Sequence, residues 1–373
     1  MSVHERFFAN ADEYLSTVQP RNPILFFSAS KLIGQHKLFK ENFPGEVTFA
    51  VKAHPNRDVI ETLATGGMGA FDVASPAEMA LVRSISPLAV LHYNNPIRSK
   101  DEIRDAIDHG VASYSIDRMG ELEKLLSQLT TPVEISVRLK LETKGGKIDF
   151  GSKFGADEDL ATKLLMRVKA AGHKPAMCFH PGTQCLNADA WREYIHACAR
   201  VSRLANVSLD RLNVGGGFPS QREEDAIDLQ KFFDVIKSET KNAFGHDAPT
   251  LLCEPGRAMV AEAFALTTRV KAICDNQIFL NDGIYGGLSE MRDIGSTSRI
   301  RVQGQLEHSK DTIAYVLFGP TCDSLDVLPD PVELPTNIAE GDYIIFDAMG
   351  AYSAAIATRF NGYGEIEQIN LTD

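Results

Sequence analysis

Short β-rich runs alternate with helix-forming stretches along most of this chain, and this alternation constrains the fold more than any other feature. Between the runs, apolar residues recur three and four positions apart, which is the spacing of amphipathic helices. Strands that alternate with helices pair in parallel, and this number of units predicts a (β/α)8 barrel, with a doubly wound open sheet as the alternative. The predicted strands are PILFFSA (23–29), VTFAVKA (47–53), GAFDVAS (69–75), LAVLHY (88–93), ASYSID (112–117), VEISVRLK (133–140), PAMCFH (175–180), RLNVGG (211–216) and LLCEPG (251–256).

The pattern changes after about residue 258, where strand-like runs follow one another without helices between them. This predicts a separate antiparallel β domain, formed by residues 1–23 and 259–373, beside a barrel of residues 24–258. The runs are FALTTRVKAIC, DNQIFLNDG, SRIRVQG, TIAYVLFG and DYIIFDAMG.

Composition narrows the class of protein. The chain has 373 residues and a net charge of −12, from 38 basic and 50 acidic side chains, and this acidic balance disfavours nucleic acid as a partner. No apolar run is long enough to span a membrane, and the N-terminus has the character of neither a signal nor a transit peptide. The six cysteines include no CxxC pair. We therefore expect a cytoplasmic protein with reduced thiols.

Chemically distinctive residues occur where the predicted barrel strands end. In barrel enzymes the carboxyl ends of the strands carry the active site, so these residues are expected to meet at one rim. They are Lys52, Asp72, Arg138, His180, Gly215–Gly217, Glu254 and Arg257.

Each residue alone allows two interpretations. Lys52 is either a solvated charge or a lysine that forms a Schiff base. His180 is either a core histidine or a ring that stacks on an aromatic cofactor. A zinc site is disfavoured, because the sequence has no second metal ligand at a suitable spacing from His180. The glycines from Gly215 to Gly217 suit a turn or a close approach to a phosphate, without the spacing of a nucleotide-binding loop.

The remaining candidates are equally ambiguous by themselves. Glu254 and Arg257 suit a surface ion pair, or a carboxylate on a pyridine nitrogen with a guanidinium on a phosphate. Cys322 and Asp323 suit a turn within the β domain.

Taken together, the motifs resemble those of one family, the fold-type III, alanine-racemase-like, pyridoxal-phosphate-dependent decarboxylases of basic amino acids, and most of all ornithine decarboxylase. The resemblance runs from about Phe26 to Gly362. It implies a cofactor-binding barrel, a second β domain and pyridoxal 5'-phosphate as the cofactor. The motifs that carry it are FAVKAHP, GAFDVAS, KFGA, FHPGTQ, NVGGGFP, CEPGR, NDGIYG, FGPTCDSLD, DAMGAYSAA and FNGY.

The resemblance also implies roles for single residues. Lys52 holds the cofactor covalently, His180 stacks on its ring, and Glu254 pairs with the ring nitrogen. Asp72 and Arg138 support the ring and the lysine. The phosphate is surrounded by Thr183, Gly215, Gly216, Gly217, Gly256, Arg257 and Tyr352.

Two further residues are implied to act from a second subunit. Cys322 is the implied proton donor and Asp323 the implied substrate contact, so that the active form is a homodimer with shared active sites. The chain departs from the ornithine decarboxylase pattern after NDGIYG, where an aromatic–Asp pair is replaced by Asp293 and Ile294. Asp293 suits a distal amine, and the neighbouring Arg292 suits a distal carboxylate.

These observations predict a decarboxylase that converts ornithine or lysine to a diamine and CO2. An alternative is a decarboxylase of a carboxylate-bearing amino acid, such as a citryl–diamino acid siderophore precursor or diaminopimelate. A third alternative is a catalytically inactive regulator similar to antizyme inhibitor. It is disfavoured because all four cofactor-site residues that it would lose are present, namely Lys52, Glu254, Arg257 and Cys322. An amino-acid racemase is disfavoured because Cys322 stands where racemases of this fold need a tyrosine.

Overall fold

The computed structural model describes residues 8–141, 146, 152–223 and 225–372, which fall into two compact units. The barrel unit comprises Gln35–Pro219 and Asp228–Met259. The sheet unit comprises the described residues of Met1–Gly34, Ser220–Ile227 and Val260–Asp373. Compared with the division expected from sequence, the barrel unit begins later in the chain and lacks the segment 220–227.

The barrel unit contains eight parallel staves, and this confirms the predicted (β/α)8 barrel. One stave is divided into two short strands by Thr48, whose N–H donates to the carbonyl of Cys253 (2.9 Å). The first piece pairs with the last strand and the second piece with the next strand along the chain, so the sheet closes on itself. The strands are β2 (Glu46–Val47), β3 (Phe49–Ala50), β4 (Ala70–Val73), β5 (Val90–Tyr93), β6 (Ser113–Ile116), β7 (Glu134–Arg138), β8 (Lys174–Cys178), β9 (Arg211–Asn213) and β10 (Thr250–Cys253).

Helices follow the barrel strands, and their starts show why they form where they do. Asn56 is the N-cap of the helix that begins at Arg57, because its side chain accepts a hydrogen bond from the N–H of Asp58. Ser99 is the N-cap of the helix that begins at Lys100 and forms a reciprocal capping box with Glu102. α2 (Ala29–Asn42) precedes the barrel strands, and the helices that follow them are α3 (Arg57–Thr65), α4 (Pro76–Ile85), α5 (Lys100–Asp108), α6 (Met119–Leu126), α7 (Glu158–Ala170), α8 (Asp189–Ala205), α9 (Leu229–Phe244) and α10 (Arg257–Val260).

The barrel interior is not purely apolar. His92 of β5 is buried, and its Nδ1 lies 2.7 Å from the hydroxyl of Ser113 in β6. Burial, together with the charge of Arg211, lowers the pKa of His92 to about 3. The imidazole is therefore neutral at physiological pH, which suits an interior with little water.

The sheet unit is a mixed sheet with two helices, α1 (Ala11–Val18) and α11 (Ser289–Ile294). Most neighbouring strands are antiparallel, as predicted, but two pairs are parallel, β1 with β17 and β12 with β14. The strands are β1 (Ile24–Phe27), β11 (Phe264–Cys274), β12 (Gln277–Leu280), β13 (Ile300–Gln303), β14 (Thr312–Phe318), β15 (Val332–Pro335), β16 (Tyr343–Asp347) and β17 (Glu367–Asn370).

The prediction that PILFFSA forms the first barrel strand is wrong. β1 pairs with β11 and β17 in the sheet unit, with Ile24 opposite both Thr267 and Glu367. All four residues of β1 are buried, and the ring of Phe26 meets Tyr14 of α1 edge to face at 5.4 Å. A fully buried strand suits either sheet, so its apolar sequence does not specify its partners.

None of the helices formed by the described residues is long and apolar enough to cross a lipid bilayer.

Candidate active site

Lys52 stands at the end of the divided stave, in a short 3-10 turn that follows β3. Its side chain is 44% exposed, and its Nζ lies 3.6 Å from Oδ2 of Asp72, which is 2% exposed at the neighbouring β4. Burial, and next the charge of Glu254, raise the pKa of Asp72 well above its usual range, while Lys52 opposes this rise. The lysine thus has one accessible amine beside a buried carboxyl group.

Glu254 follows β10 and is held by two amides. Its Oε2 accepts hydrogen bonds from Nδ2 of Asn94 (2.6 Å) and Nδ2 of Asn213 (2.8 Å). Both donors are buried, as is the glutamate. A buried carboxylate with two fixed donors keeps one orientation.

Asn213 connects Glu254 to the glycine stretch. Its Oδ1 accepts from the N–H of Gly215 (2.8 Å), so that one amide sets the positions of both neighbours. Gly215 and Gly217 have positive φ angles of 74° and 86°, a conformation that favours glycine. A Cβ on Gly216 would lie 3.0 Å from the carbonyl oxygen of Glu254 and 3.3 Å from Nε2 of His180. The missing side chains leave a cradle between the glutamate and the histidine.

His180 follows β8 and presents a neutral ring. Its Nδ1 accepts a hydrogen bond from the N–H of Gly182 (3.2 Å), so the neutral ring carries its proton on Nε2. Burial, and next the charges of Arg138 and Lys52, lower the pKa of His180 well below its usual range. A flat neutral imidazole beside the glycine cradle suits stacking on another aromatic ring.

The other predicted residues of the barrel unit also lie at the end of a strand or after it. Arg138 ends β7, and its guanidinium lies 5.3 Å from the ring centre of Phe154 in the KFGA motif. Gly256 and Arg257 follow β10, and both are buried, whereas Thr183 is partly exposed. The predicted barrel residues therefore lie within the last two residues of a strand or after its carboxyl end, where barrel enzymes bind their ligands.

These residues fit a phosphorylated pyridine aldehyde. An accessible amine, a fixed carboxylate and a neutral ring are the groups that such a cofactor needs. Among the described residues, the backbone N–H groups of Gly216 and Gly217 donate to no protein acceptor, so they remain for a phosphate.

In the sheet unit, Cys322 and Asp323 follow β14. Cys322 is exposed, and its N–H donates to Oδ1 of Asn361 (3.1 Å). Asp323 accepts from the hydroxyl of Tyr285 (2.6 Å) and from the N–H of Leu325 (2.9 Å). The hydrogen bond from Tyr285, and next that from Leu325, lower the pKa of Asp323. The hydrogen bond between Tyr285 and Asp323 also raises the pKa of Tyr285.

Asp326 fixes the loop that carries these two residues. Its carboxylate accepts from the N–H and the hydroxyl of Thr321 (3.0 and 2.7 Å) and from the N–H of Ile284 in the NDGIYG motif (3.1 Å). Cys322 and Asp323 line a pocket of ≈ 320 Å³ with Lys271 and Asp326. The motifs NDGIYG and GPTCDSLD therefore form one structural group.

Arg292 and Asp293 lie side by side on α11 and bind each other, with Nε of Arg292 3.0 Å from Oδ1 of Asp293. Both are exposed, whereas the next residue, Ile294, is 5% exposed. Tyr352 has a positive φ of 53°, and its carbonyl accepts from the hydroxyl of Ser289 at the start of α11 (3.3 Å). An unfavourable backbone angle held by its surroundings is typical of functional sites.

Sequence reasoning missed four residues that organise these two groups. An amide, a phenol or a carboxylate that supports another side chain has no sequence pattern of its own. Three of them stand inside motifs that carry the resemblance, and the fourth directly follows the predicted strand LAVLHY, which is where a signal existed. They are Asn213, Tyr285, Asp326 and Asn94.

Comparisons with known proteins agree with the geometry. Residues 29–261 match the family profile described as pyridoxal-dependent decarboxylase, pyridoxal binding domain. The lysine/ornithine decarboxylase of Selenomonas ruminantium is 29% identical over 370 residues, which cover 95% of this chain and 92% of the relative.

Solved structures give the same result. A lysine/ornithine decarboxylase from Vibrio vulnificus, complexed with cadaverine, is 29% identical with a TM-score of 0.83, and the match covers 98% of this chain and 100% of the other. The Paramecium bursaria Chlorella virus arginine decarboxylase, bound to agmatine, is 25% identical with a TM-score of 0.86, covering 96% and 98%.

Proposed function

Because this chain belongs to the family of pyridoxal-dependent decarboxylases and is a carboxy-lyase that uses pyridoxal 5'-phosphate, we propose that it converts a basic L-amino acid, ornithine or lysine, to a diamine and CO2. The observation that carries the proposal is the grouping of Lys52, Glu254 and His180 at the carboxyl ends of barrel strands. The relatives named for lysine and ornithine, which match nearly the whole chain, support the substrate class.

Each residue near the cofactor has one proposed task. Lys52 holds it through Nζ, Glu254 faces the ring nitrogen, and His180 packs on the ring. Asp72 and Arg138 keep the ring and the lysine in place. The phosphate is held by Thr183, Gly215, Gly216, Gly217, Gly256, Arg257 and Tyr352.

When bound, pyridoxal 5'-phosphate accepts the electron pair that CO2 leaves on the α-carbon. Glu254 contributes a negative charge that keeps a proton on the ring nitrogen, and the amides of Asn94 and Asn213 prevent it from turning away. Cys322 then returns a proton from Sγ to the α-carbon, and water restores the thiol. Asp323, held ionised by Tyr285, attracts the cationic end of the substrate.

We also propose that the active form is a homodimer in which Cys322 and Asp323 serve the barrel of the partner subunit. Large apolar side chains are exposed near Cys322, namely Leu325 (68%) and Phe360 (43%), and such surface is typical of a protein interface. The proposed location is the cytoplasm, which agrees with six free cysteines.

A second candidate substrate carries a carboxylate at its far end, such as a citryl–diamino acid or diaminopimelate. Arg292 favours it, because this exposed arginine lies on α11 beside Asp293, in the segment where ornithine decarboxylases have their aromatic–Asp pair. Asp293 favours a distal amine instead.

The test combines a variant with a substrate screen. Lys52→Ala should abolish CO2 release and the visible absorption of the bound cofactor, whereas Lys37→Ala, on the exposed face of α2, should change neither. Persistent CO2 release in Lys52→Ala would contradict the assignment. Ornithine, lysine, diaminopimelate and a citryl–diamino acid should be compared, and Arg292→Ala should impair only substrates with a distal carboxylate.

A further inference from the structure

The guanidinium of Arg222 holds α11 at two places. Arg222 belongs to the segment Ser220–Ile227, which follows the glycine stretch in sequence but groups with the sheet unit. Nη1 donates to Glu290, the second residue of α11, and Nη2 donates to the carbonyl of Gly295, which follows the last residue. The side chains of Arg222 and Glu290 are only 6% and 3% exposed. One buried arginine therefore spans the length of this helix.

The backbone of the same segment is bound to the loop after α11. The carbonyl of Arg222 accepts from the hydroxyl of Thr297 (2.7 Å) and from the N–H of Ser298 (3.1 Å). The carbonyl of Gln221 accepts from Nη1 of Arg299 (2.9 Å). The segment and this loop thus form one hydrogen-bonded cluster around Arg222.

A helix as short as α11 depends on such external contacts. Six residues are too few for a helix to be stable by itself, and its N-terminus has no side-chain cap. Met291 and Ile294 are buried, which leaves Arg292 and Asp293 exposed on the other side. The contacts that fix the rotation of α11 about its own axis therefore also set the direction of the Arg292 and Asp293 side chains.

We propose that Arg222 is a positioning residue for substrate selectivity, because through Glu290 and Gly295 it fixes the direction in which α11 presents Arg292 and Asp293 to the far end of the substrate. The inference rests on the proposed function, in which these two residues read the distal group. A buried ion pair adds little stability over a packed apolar pair, because both charges lose their water, but its hydrogen bonds are directional. The ion pair of Arg222 and Glu290 therefore fixes the orientation of α11 more closely than apolar packing alone would.

The test removes both charges together, as the double variant Arg222→Met with Glu290→Met. Neither charge is then left buried alone, so the variant should fold and keep the visible absorption of the bound cofactor. Amide hydrogen exchange in residues 289–298 should become faster. The ratio of kcat/KM between the preferred diamino acid and the homologue with one methylene more or fewer should fall about tenfold, mainly through KM.

Two further variants sharpen the result. Arg222→Lys keeps the charge but cannot bond Glu290 and Gly295 at once, so it should lose part of the selectivity. Arg301→Met removes an exposed ion pair with Asp12 in the same unit and should leave the exchange and the ratio unchanged.

The outcomes separate this inference from the proposed function. A double variant that discriminates between homologues as well as the wild-type enzyme would overturn the role of Arg222, whether or not its exchange rises. A wild-type protein that releases no CO2 from any diamino acid would instead contradict the proposed function, and the selectivity role with it.

Discussion

The phenol of Tyr285 donates a 2.6 Å hydrogen bond to the carboxylate of Asp323, and so connects the NDGIYG motif to the residue after Cys322. Asp323 also accepts from the backbone of Leu325, which leaves its carboxylate fixed at both oxygens. A charge held in this way attracts a cationic ligand from one defined direction.

Tyr285→Phe should therefore raise KM for a diamino acid several-fold and change kcat less, because Asp323 loses one of its two orienting donors. Steady-state CO2 release measures both constants. The control is a double-mutant cycle with Asp323→Asn: once the carboxylate is absent, removing the phenol should have little additional effect. Additive losses in the cycle would show that the two residues act independently.

Asn213→Asp tests the amide that connects Glu254 to the glycine stretch. The aspartate can still accept from Gly215, but it brings a second carboxylate to the place where Nδ2 lies 2.8 Å from Glu254. Because two adjacent carboxylates take up a proton, Glu254 should lose its full charge and kcat should fall about tenfold or more.

Asn213→Ala is the matched comparison, since it removes the donor without adding a charge. It should lower kcat less than Asn213→Asp does. An alanine variant as impaired as the aspartate variant would indicate that the bond to Gly215 matters more than the charge on Glu254.

His92 should make the protein less stable in acid. The pKa of His92 in the folded state is about 3, below the ordinary 6.5. Between these two pH values the unfolded state binds a proton at His92 and the folded state does not. The stabilisation is complete above pH 6.5, and it should be lost as the pH falls toward 3, by about 1.4 kcal/mol per pH unit. Urea unfolding at a series of pH values measures the slope.

His92→Asn can keep a hydrogen bond to Ser113 and does not titrate. Its unfolding free energy should run parallel to that of the wild type above pH 7 and fall less steeply below it. An unchanged acid slope would show that His92 is protonated in the folded state.

Mixed dimers test the shared active site. Lys52→Ala and Cys322→Ala homodimers should each be nearly inactive, but random exchange of subunits should restore about a quarter of the wild-type activity, because half of the dimers then carry one intact site. Two differently tagged chains allow the mixed dimer to be purified and assayed. Activity no higher than that of the better homodimer would place both residues in the site of one chain.

The barrel could be predicted because its strands and helices alternate locally, whereas the position of β1 could not. The order and positions of the parallel strands follow from periodicity, which is a property of neighbouring residues. β1 is an apolar run of four buried residues, and its partners β11 and β17 lie hundreds of residues further along the chain. Such long-range pairing has no local signal.

The candidate site was predicted unevenly for a similar reason. Lys52, His180 and Glu254 have side chains whose chemistry is recognisable at strand ends, and the structure groups them. Asn94 and Arg222 act only through residues distant in sequence, namely Glu254 and Glu290, so their importance becomes visible only in the folded chain.

The pairing of β1 with β17 also has a consequence for synthesis of the protein. Ile24–Phe27 is translated before the barrel strands, whereas its parallel neighbour Glu367–Asn370 is translated after them. The middle of the chain can close its barrel while this strand still has one edge open. Loss of Glu367–Asn370 would therefore expose one backbone edge of Ile24–Phe27, and a nascent or truncated product would be prone to aggregate at that edge.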